Sequence, residues 1–422
     1  MAKIVLQAFG SLGDLHPHLG VGAALAARGH AVTIVTHDLY RSRVEAAGLQ
    51  MHDMPPAYGT FDDLEALMRK AMDARDGSRF VVERIVIPHL RATTQAVIDA
   101  ATGADFLVGH PLGFSTVLAA EKLGIPRAHA VLQPMAMFSL HDPPHMGPQP
   151  GMGFLHRRGP GTWRVLYGLM RLVMRQWMKP IHALRAELGL PRATAHPMLE
   201  MWSETLNLAL FSSVLMSPQP DTPPHLVTTG FPFYDRDETG KSSPDALLRF
   251  LDAGPAPLVF TLGSSAVFDA GRFYEVALAS ARALGMRAVL LCGPEGRNRP
   301  RHLGADAIAV DYAPHSEVFP RAAVNVHQGG VGTTGQALRA GRPMLVMPYS
   351  HDQPDNALRC ERLGIARTVP RRRWSVPHAT AALGALLVDS DAARKAATVG
   401  ERVRAERGAE AAADAIEAAL RR

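Results

Sequence analysis

Cysteine is almost absent from the chain, with only Cys292 and Cys360 among 422 residues. Two thiols cannot build a disulfide scaffold or a cysteine-rich zinc module, and such sparing use suits a reducing compartment. Aromatic residues are also scarce, at 6%. No apolar run approaches the ~18 residues that a spanning helix needs. The start, Lys3-Ile4-Val5-Leu6-Gln7-Ala8-Phe9, reads as a short strand entering a glycine-rich turn and not as a cleavable leader. The expected location is therefore cytoplasmic, or peripheral on the inner face of a membrane. Excess charge is small: 45 Lys and Arg against 39 Asp and Glu leave +6 over the whole chain, which gives nucleic acid no footprint.

What is present is an ordinary folded composition, 47% hydrophobic and 20% charged, in a length that calls for two or three domains. Short aliphatic runs alternate with helical patterns, the signature of parallel strands joined by crossover helices. Strands are predicted at 4–9, 32–36, 106–108 and 127–132, with helices over 19–28 and 40–47. Between Met216 and Pro257 the composition turns to proline, glycine and polar residues, and after it the rhythm restarts. Strands are predicted there at 258–262, 288–291, 323–326 and 344–347, and helices over 273–284 and 334–340. The fold class is α/β, with two Rossmann-like domains facing each other across a cleft. The boundaries are 1–230 for the first domain, 231–257 for the linker, 258–395 for the second domain and 396–422 for terminal helices.

The turn Phe9-Gly10-Ser11-Leu12-Gly13-Asp14-Leu15-His16-Pro17 follows the first strand, where an α/β sheet places its reactive loop. Gly10 and Gly13 do not complete a G-x-G-x-x-G fingerprint, although Asp38 at a later strand end mimics the ribose-binding acid of dinucleotide sites. Asp14 has two readings, a helix N-cap or a general base for a hydroxyl at the cleft. His16 and His110 are the candidates to hydrogen-bond or tune it.

In the second half, Val326-His327-Gln328-Gly329-Gly330-Val331-Gly332-Thr333-Thr334 runs a strand through glycines into a helix. Such a turn offers backbone N–H groups and a positive helix end to an anion, with threonine hydroxyls beside them, so a diphosphate is the expected ligand. No G-x-x-x-x-G-K-[ST] occurs, which excludes a phosphate-cradling NTPase loop. Farther on, Asp352-Gln353 within Pro348-Tyr349-Ser350-His351-Asp352-Gln353 pairs an acid with an amide at a strand end. That pair suits vicinal sugar hydroxyls, and Asp352 also reads as the N-cap of a helix over 353–363.

Gly-Gly-x-Gly-Thr-Thr at 329–334, Ala-Gly-x-Pro at 340–343 and Pro-x-x-x-Asp-Gln at 348–353 together resemble the family 1 nucleotide-sugar glycosyltransferases of GT-B fold. The turn Gly10-Ser11-x-Gly13-Asp14-x-x-Pro17 is similar to a bacterial subgroup that includes sterol glucosyltransferases and the rhamnosyltransferase of rhamnolipid synthesis. The resemblance implies an acceptor-binding first domain with Asp14 as catalytic base and a second domain that holds the donor. It implies Tyr312 as the residue stacked on the nucleotide base, with the Ala313 backbone on the base edge and His315 close by. Ser264 and Ser265 fall on the loop that closes over the diphosphate. His327 or Gln328 falls at the phosphate-binding histidine, and Gln336 at the ribose-binding acid. The implied reaction is an inverting, metal-independent transfer of glucose or rhamnose from a UDP- or dTDP-sugar to a lipophilic acceptor, with no cofactor beyond the donor. A nucleotide-sugar epimerase and a noncatalytic nucleotide-sugar binding protein are the rivals of similar architecture.

From Gly151 to Arg192 there are eight Lys or Arg and one acid, Glu187, so the segment carries 8 − 1 = +7, more than the chain's net charge. At about 100° per residue, Arg164, Arg171, Arg175 and Lys179 share one face, while Trp163, Leu166, Leu169, Met170, Val173, Met174 and Trp177 cover the rest. Two readings stand, a core helix with a solvated basic stripe, or the wall of a lipophilic acceptor channel opening at an anionic membrane surface near 163–179.

Overall fold

The computed structural model describes the chain except residues 59–62, 146–154, 156–157, 194–195, 197–198, 236–242 and 297. The part of the linker at 236–242 and the Arg157 end of the basic segment thus lie outside the described residues. Two parallel sheets form the frame. The first contains β1 (Lys3–Gln7), β2 (Ala31–Thr36), β3 (Gln50–Asp53), β4 (Phe106–Gly109), β5 (Arg127–Val131), β6 (Leu206–Ala209) and β7 (Leu226–Thr228). Their order is β3-β2-β1-β4-β5-β6-β7. The second contains β8 (Leu258–Thr261), β9 (Ala288–Leu291), β10 (Ala307–Val310), β11 (Val324–His327), β12 (Met344–Val346) and β13 (Ala366–Thr368), ordered β10-β9-β8-β11-β12-β13.

The strand order reverses at β1/β4 in one sheet and at β8/β11 in the other, and such reversals leave a crevice at the carboxyl ends of the strands. The reactive turns described above sit at these two points. Asp14 follows β1 and His110 follows β4, neighbours paired in register as Leu6 with Val108. Ser264 follows β8 and the glycines follow β11, paired as Val326 with Phe260. The strands are buried on both faces because helices cover them, which explains their unbroken aliphatic runs. Each fully buried Ile or Leu there stabilises the fold by roughly 1.5–3 kcal/mol.

The first helix spans Leu12–Ala27 and so begins seven residues before the predicted 19. Pro17 masks this start in the sequence, since proline inside a helix normally reads as a break. A reciprocal cap offsets it. The Ser11 side chain accepts from the Gly13 N–H while Asp14, three residues into the motif, accepts from the Ser11 N–H. Asp14 is therefore the returning acid of a capping box, and Ser11 holds the N-cap position.

Three connections tie the halves together. The linker Phe231-Pro232-Phe233 threads between Gly20, Gly335 and Gly408, where any Cβ would strike its backbone or the Phe231 ring. The last helix, Gly408–Leu420, returns to the first domain and buries Ala412, Ala413 and Ile416 in the same core as Leu15 and Leu19. A helix of the first domain, Leu64–Ala71, reaches the other way, and Met72 after it is buried in the core that holds Leu258, Phe260 and Tyr349.

The long helix Pro160–Glu187 buries Trp163, Tyr167, Met178, Ile181 and Leu184. Val165, Leu169, Leu172 and Val173 stay exposed, between 56% and 70%. Among the described residues no helix is long and apolar enough to cross a membrane.

Candidate active site

Asp14 stands at the cleft with its side chain about one-third open, at 30% exposure. Its Oδ2 accepts the Ser11 N–H at 2.8 Å and the Ser11 hydroxyl at 3.2 Å. Its Oδ1 lies 3.1 Å from His110 Nε2. His110 Nδ1 accepts the Leu112 N–H at 3.1 Å, so the ring proton sits on Nε2 and points at the carboxylate. Burial pushes the Asp14 carboxyl up, but the hydrogen bond from His110 together with the Ser11 donors outweighs it and holds the group below its ordinary value. A carboxylate has about four acceptor positions, so Oδ1 keeps one free for an incoming hydroxyl. Tyr40 donates its hydroxyl to the Gly10 carbonyl at 2.9 Å and pins the turn from the side. His18, whose ring contacts His110, is kept neutral, pushed down to about 4 chiefly by burial.

Across the cleft, the helix Val331–Ala340 starts from Gly330, which has no side chain to cap it. Its first turn aims at the loop after β8. A Cβ on Gly263 would collide with Gln328 Nε2 and come within 3.3 Å of Thr333 Oγ1, so the Ser264 loop and the glycine loop are in contact. Gln328 donates to Thr333 Oγ1 at 3.3 Å, with its Oε1 buried and unpartnered. His327 is fully buried, with Nδ1 accepting the Gly329 N–H at 3.1 Å. Of the two adjacent candidates, only Gln328 faces the loop junction. Thr334 is buried with its hydroxyl unpartnered.

Asp352 occupies the N-cap position of the helix Gln353–Arg362 without capping it. Its Oδ2 instead accepts the Val331 N–H at 3.0 Å and the Asn356 amide at 2.7 Å, which locks the acid to the glycine-loop helix. Gln353 uses its carbonyl oxygen on the Tyr349 N–H at 2.8 Å. The two domains meet here, for a Cβ on Gly332 would lie 3.6 Å from Gly13 Cα. Burial, helped by the nearby charge of Asp14, pushes the Asp352 carboxyl up to about 7.

A raised acid holds its proton in the folded state after the unfolded chain has released it. The stability it contributes is complete below its ordinary value of 3.8 and is lost as pH rises through about 7. Asp352→Asn, which keeps the two acceptor bonds without the charge, should melt above the parent at pH 8, with the gap narrowing toward pH 4. Melting curves at the two pH values check this, and a gap independent of pH would contradict it.

Tyr312 is 49% exposed, Ala313 next to it is buried, and the His315 ring stacks on Phe319 at 4.3 Å. Gln336 donates to Asp235 Oδ1 at 2.7 Å, an acid from the linker that also pairs with Arg339. Asp38 accepts the Leu39 and Tyr58 N–H groups. His16 packs on Tyr234 at 6.0 Å, which leaves His110 as the partner of Asp14. Sequence reading missed Ser11, Tyr40 and Asp235 because their roles come from contacts that composition and spacing do not carry. Among the described residues no group of three or more His, Cys, Asp or Glu is arranged to hold a metal ion.

Comparison with known proteins bears on this cleft. Residues 4–136 match the glycosyltransferase family 28 N-terminal domain, and residues 250–399 match the UDP-glucuronosyl and UDP-glucosyl transferases. An O-mycaminosyltylonolide 6-deoxyallosyltransferase of Streptomyces fradiae is 32% identical over 433 residues, covering 98% of this chain and 97% of that protein. A sterol 3-beta-glucosyltransferase of Yarrowia lipolytica is 27% identical over 97% of this chain, which spans only 28% of the fungal protein. Of solved structures, the kitacinnamycin glycotransferase superposes with a TM-score of 0.74 over 99% of both chains at 22% identity. The glycosyltransferase VinC in complex with dTDP gives 0.71 over 100% of both at 17% identity. At such identities the two structures establish the shared fold.

Proposed function

Because the chain belongs to the nucleotide-sugar-dependent glycosyltransferases of GT-B fold, we propose that it is an inverting enzyme in which Asp14 is the general base. It moves a sugar to a small-molecule acceptor, and the epimerase and sensor readings fall with that membership. The observation that carries the proposal is the Asp14 carboxyl, oriented by His110 and the Ser11 N–H, on the turn whose Gly13 closely approaches Gly332 at the start of the glycine-loop helix.

In this mechanism the acceptor hydroxyl gives its proton to Asp14 Oδ1 as its oxygen bonds to the anomeric carbon. The bond from that carbon to the diphosphate breaks, and the electron pair leaves with the diphosphate. Backbone N–H groups at the helix end, with Gln328, Thr333, Thr334, Ser264 and Ser265, stabilise the charge that develops on the leaving group. Asp352 and Gln353 hold the sugar hydroxyls, Tyr312 stacks on the base, Ala313 and His315 border it, and Gln336 takes the ribose. The sugar is a hexose or deoxyhexose such as glucose or rhamnose, carried on UDP or dTDP. Transfer from an α-linked donor with inversion of the linkage is the test of this reading.

A lipophilic acceptor agrees with the sterol named for one relative and with the long helix of the first domain. The same helix supports peripheral contact with an anionic membrane. Val165, Leu169, Leu172 and Val173 are exposed, and Arg164, Arg171, Arg175 and Lys179 flank them. The protein should sediment with vesicles rich in anionic lipid at low salt and release at high salt. Failure to sediment would remove the membrane from the account.

A further inference from the structure

His351 directly precedes the Asp352-Gln353 pair, yet its ring serves the other domain. Its Nε2 lies 2.8 Å from the Ala71 carbonyl and its Nδ1 lies 2.9 Å from Ser78 Oγ. A carbonyl only accepts, so Nε2 carries the ring proton and Nδ1 accepts from the serine hydroxyl. Both ring nitrogens are thus used by the stretch 71–78 of the acceptor domain. The residue is also one of three non-glycine residues at positive φ among the described residues, at +56°. Side chains rarely adopt that backbone unless the surroundings hold it. Ser350 Oγ contacts Met72 Sδ at 4.0 Å, and Met72 is buried in the donor domain's core, so the docking is continuous on either side of the ring.

We propose that His351 is a positioning residue that clasps the donor-sugar loop to the acceptor domain. The clasp sets Asp352 and Gln353 for the sugar only while the stretch 71–78 is docked. It couples recognition of the sugar to the relative placement of the two domains, and leaves the nucleotide half of the donor site untouched. The inference rests on the reading of Asp352-Gln353 as the sugar-binding pair.

The test is the ratio of dissociation constants for UDP-glucose and UDP, measured by calorimetry on the full chain, with dTDP-glucose and dTDP used if the uridine pair does not bind. His351→Gly, which tolerates the positive φ but loses both bonds, should raise that ratio about tenfold while UDP affinity stays within about twofold. Ser78→Ala, which alters only the acceptor domain, should raise it about threefold. His351→Asn keeps the backbone preference and one amide donor, and should fall between parent and glycine variant. An unchanged ratio in the glycine and serine variants, or an equal loss of both ligands, would overturn the clasp. Asp352→Asn separates the two claims. If it raises the ratio and the His351 variant does not, the clasp alone fails; if it leaves the ratio unchanged, the sugar-site reading fails and takes the clasp with it. Should His351→Gly not fold, Ser78→Ala decides by itself.

Discussion

Asp14→Asn should lower turnover by at least about 100-fold, the usual scale for loss of a general base, while the affinity for nucleoside diphosphate stays within about twofold. The asymmetry follows from the fold. Asp14 lies at the first domain's switch point and the groups proposed for the diphosphate lie at the second domain's, so on this reading the substitution leaves the nucleotide site in place. The amide also meets a mismatch at His110. The Nε2 proton points at the carboxylate because Nδ1 is committed to the Leu112 N–H, so an NH2 placed there would oppose another donor. Steady-state turnover together with nucleotide calorimetry checks both halves. Near-normal turnover would remove Asp14 from the chemistry and leave it as a capping residue only.

Gly10→Ala should cost turnover on the same scale, roughly 100-fold, because a misplacement of about 1 Å at a reacting group is enough for that. Gly10 sits at φ +115°, and a Cβ there would collide with Asp14 Oδ2. The alanine must either push the carboxylate off the Ser11 N–H or distort the turn that Tyr40 pins. Gly13→Ala is the control. Its Cβ would meet only Ser11 Oγ at 3.5 Å, an ordinary contact, so activity should stay within about twofold. Equal effects of the two substitutions would show that the motif needs glycine for general flexibility and not for the carboxylate's place.

Much of this arrangement is legible in the sequence, because the relevant physics is local. Strand Ala288–Leu291 appears as predicted, and the other predicted strands shift by only one or two residues at their ends. Glycines after a strand and an acid-amide pair after the next one carry their geometry in their spacing. What stays hidden depends on partners far away in the chain. The choice between His327 and Gln328 turns on strand alternation. His327 ends β11 fully buried, and the next residue reaches Thr333 and the Gly263 turn, a distinction that two adjacent polar letters do not carry. The early start of the first helix is concealed by Pro17 and rescued by Ser11. The Ala-rich terminal helices are legible as helices, but nothing in their composition says that the last one completes the first domain's core. His351 belongs to a readable motif, although its ring bonds to Ala71, 280 residues earlier.

The buried charges of the donor-loop helix show the same dependence. Arg359, with 3% of its side chain exposed, pairs with Asp355 at 2.7 Å and with Asp142 of the first domain. A guanidinium and carboxylates with so little water must be satisfied together, since a lone buried charge is strongly destabilising. The sequence shows an i,i+4 acid and base on one helix, which normally reads as a surface pair. Only the fold brings Asp142 and the His145 N–H to it.

The central claim is a single base attacking in line across the cleft, and the configuration of the product tests it most directly. The protein should be supplied with UDP-α-glucose or its dTDP counterpart and a panel of lipophilic alcohols, and the anomeric linkage of the glycoside read by proton NMR. A β-linked product is expected, because one displacement from the face of Asp14 inverts the carbon once. An α-linked product would require a second displacement or attack from the leaving-group face, and would contradict the role assigned to Asp14.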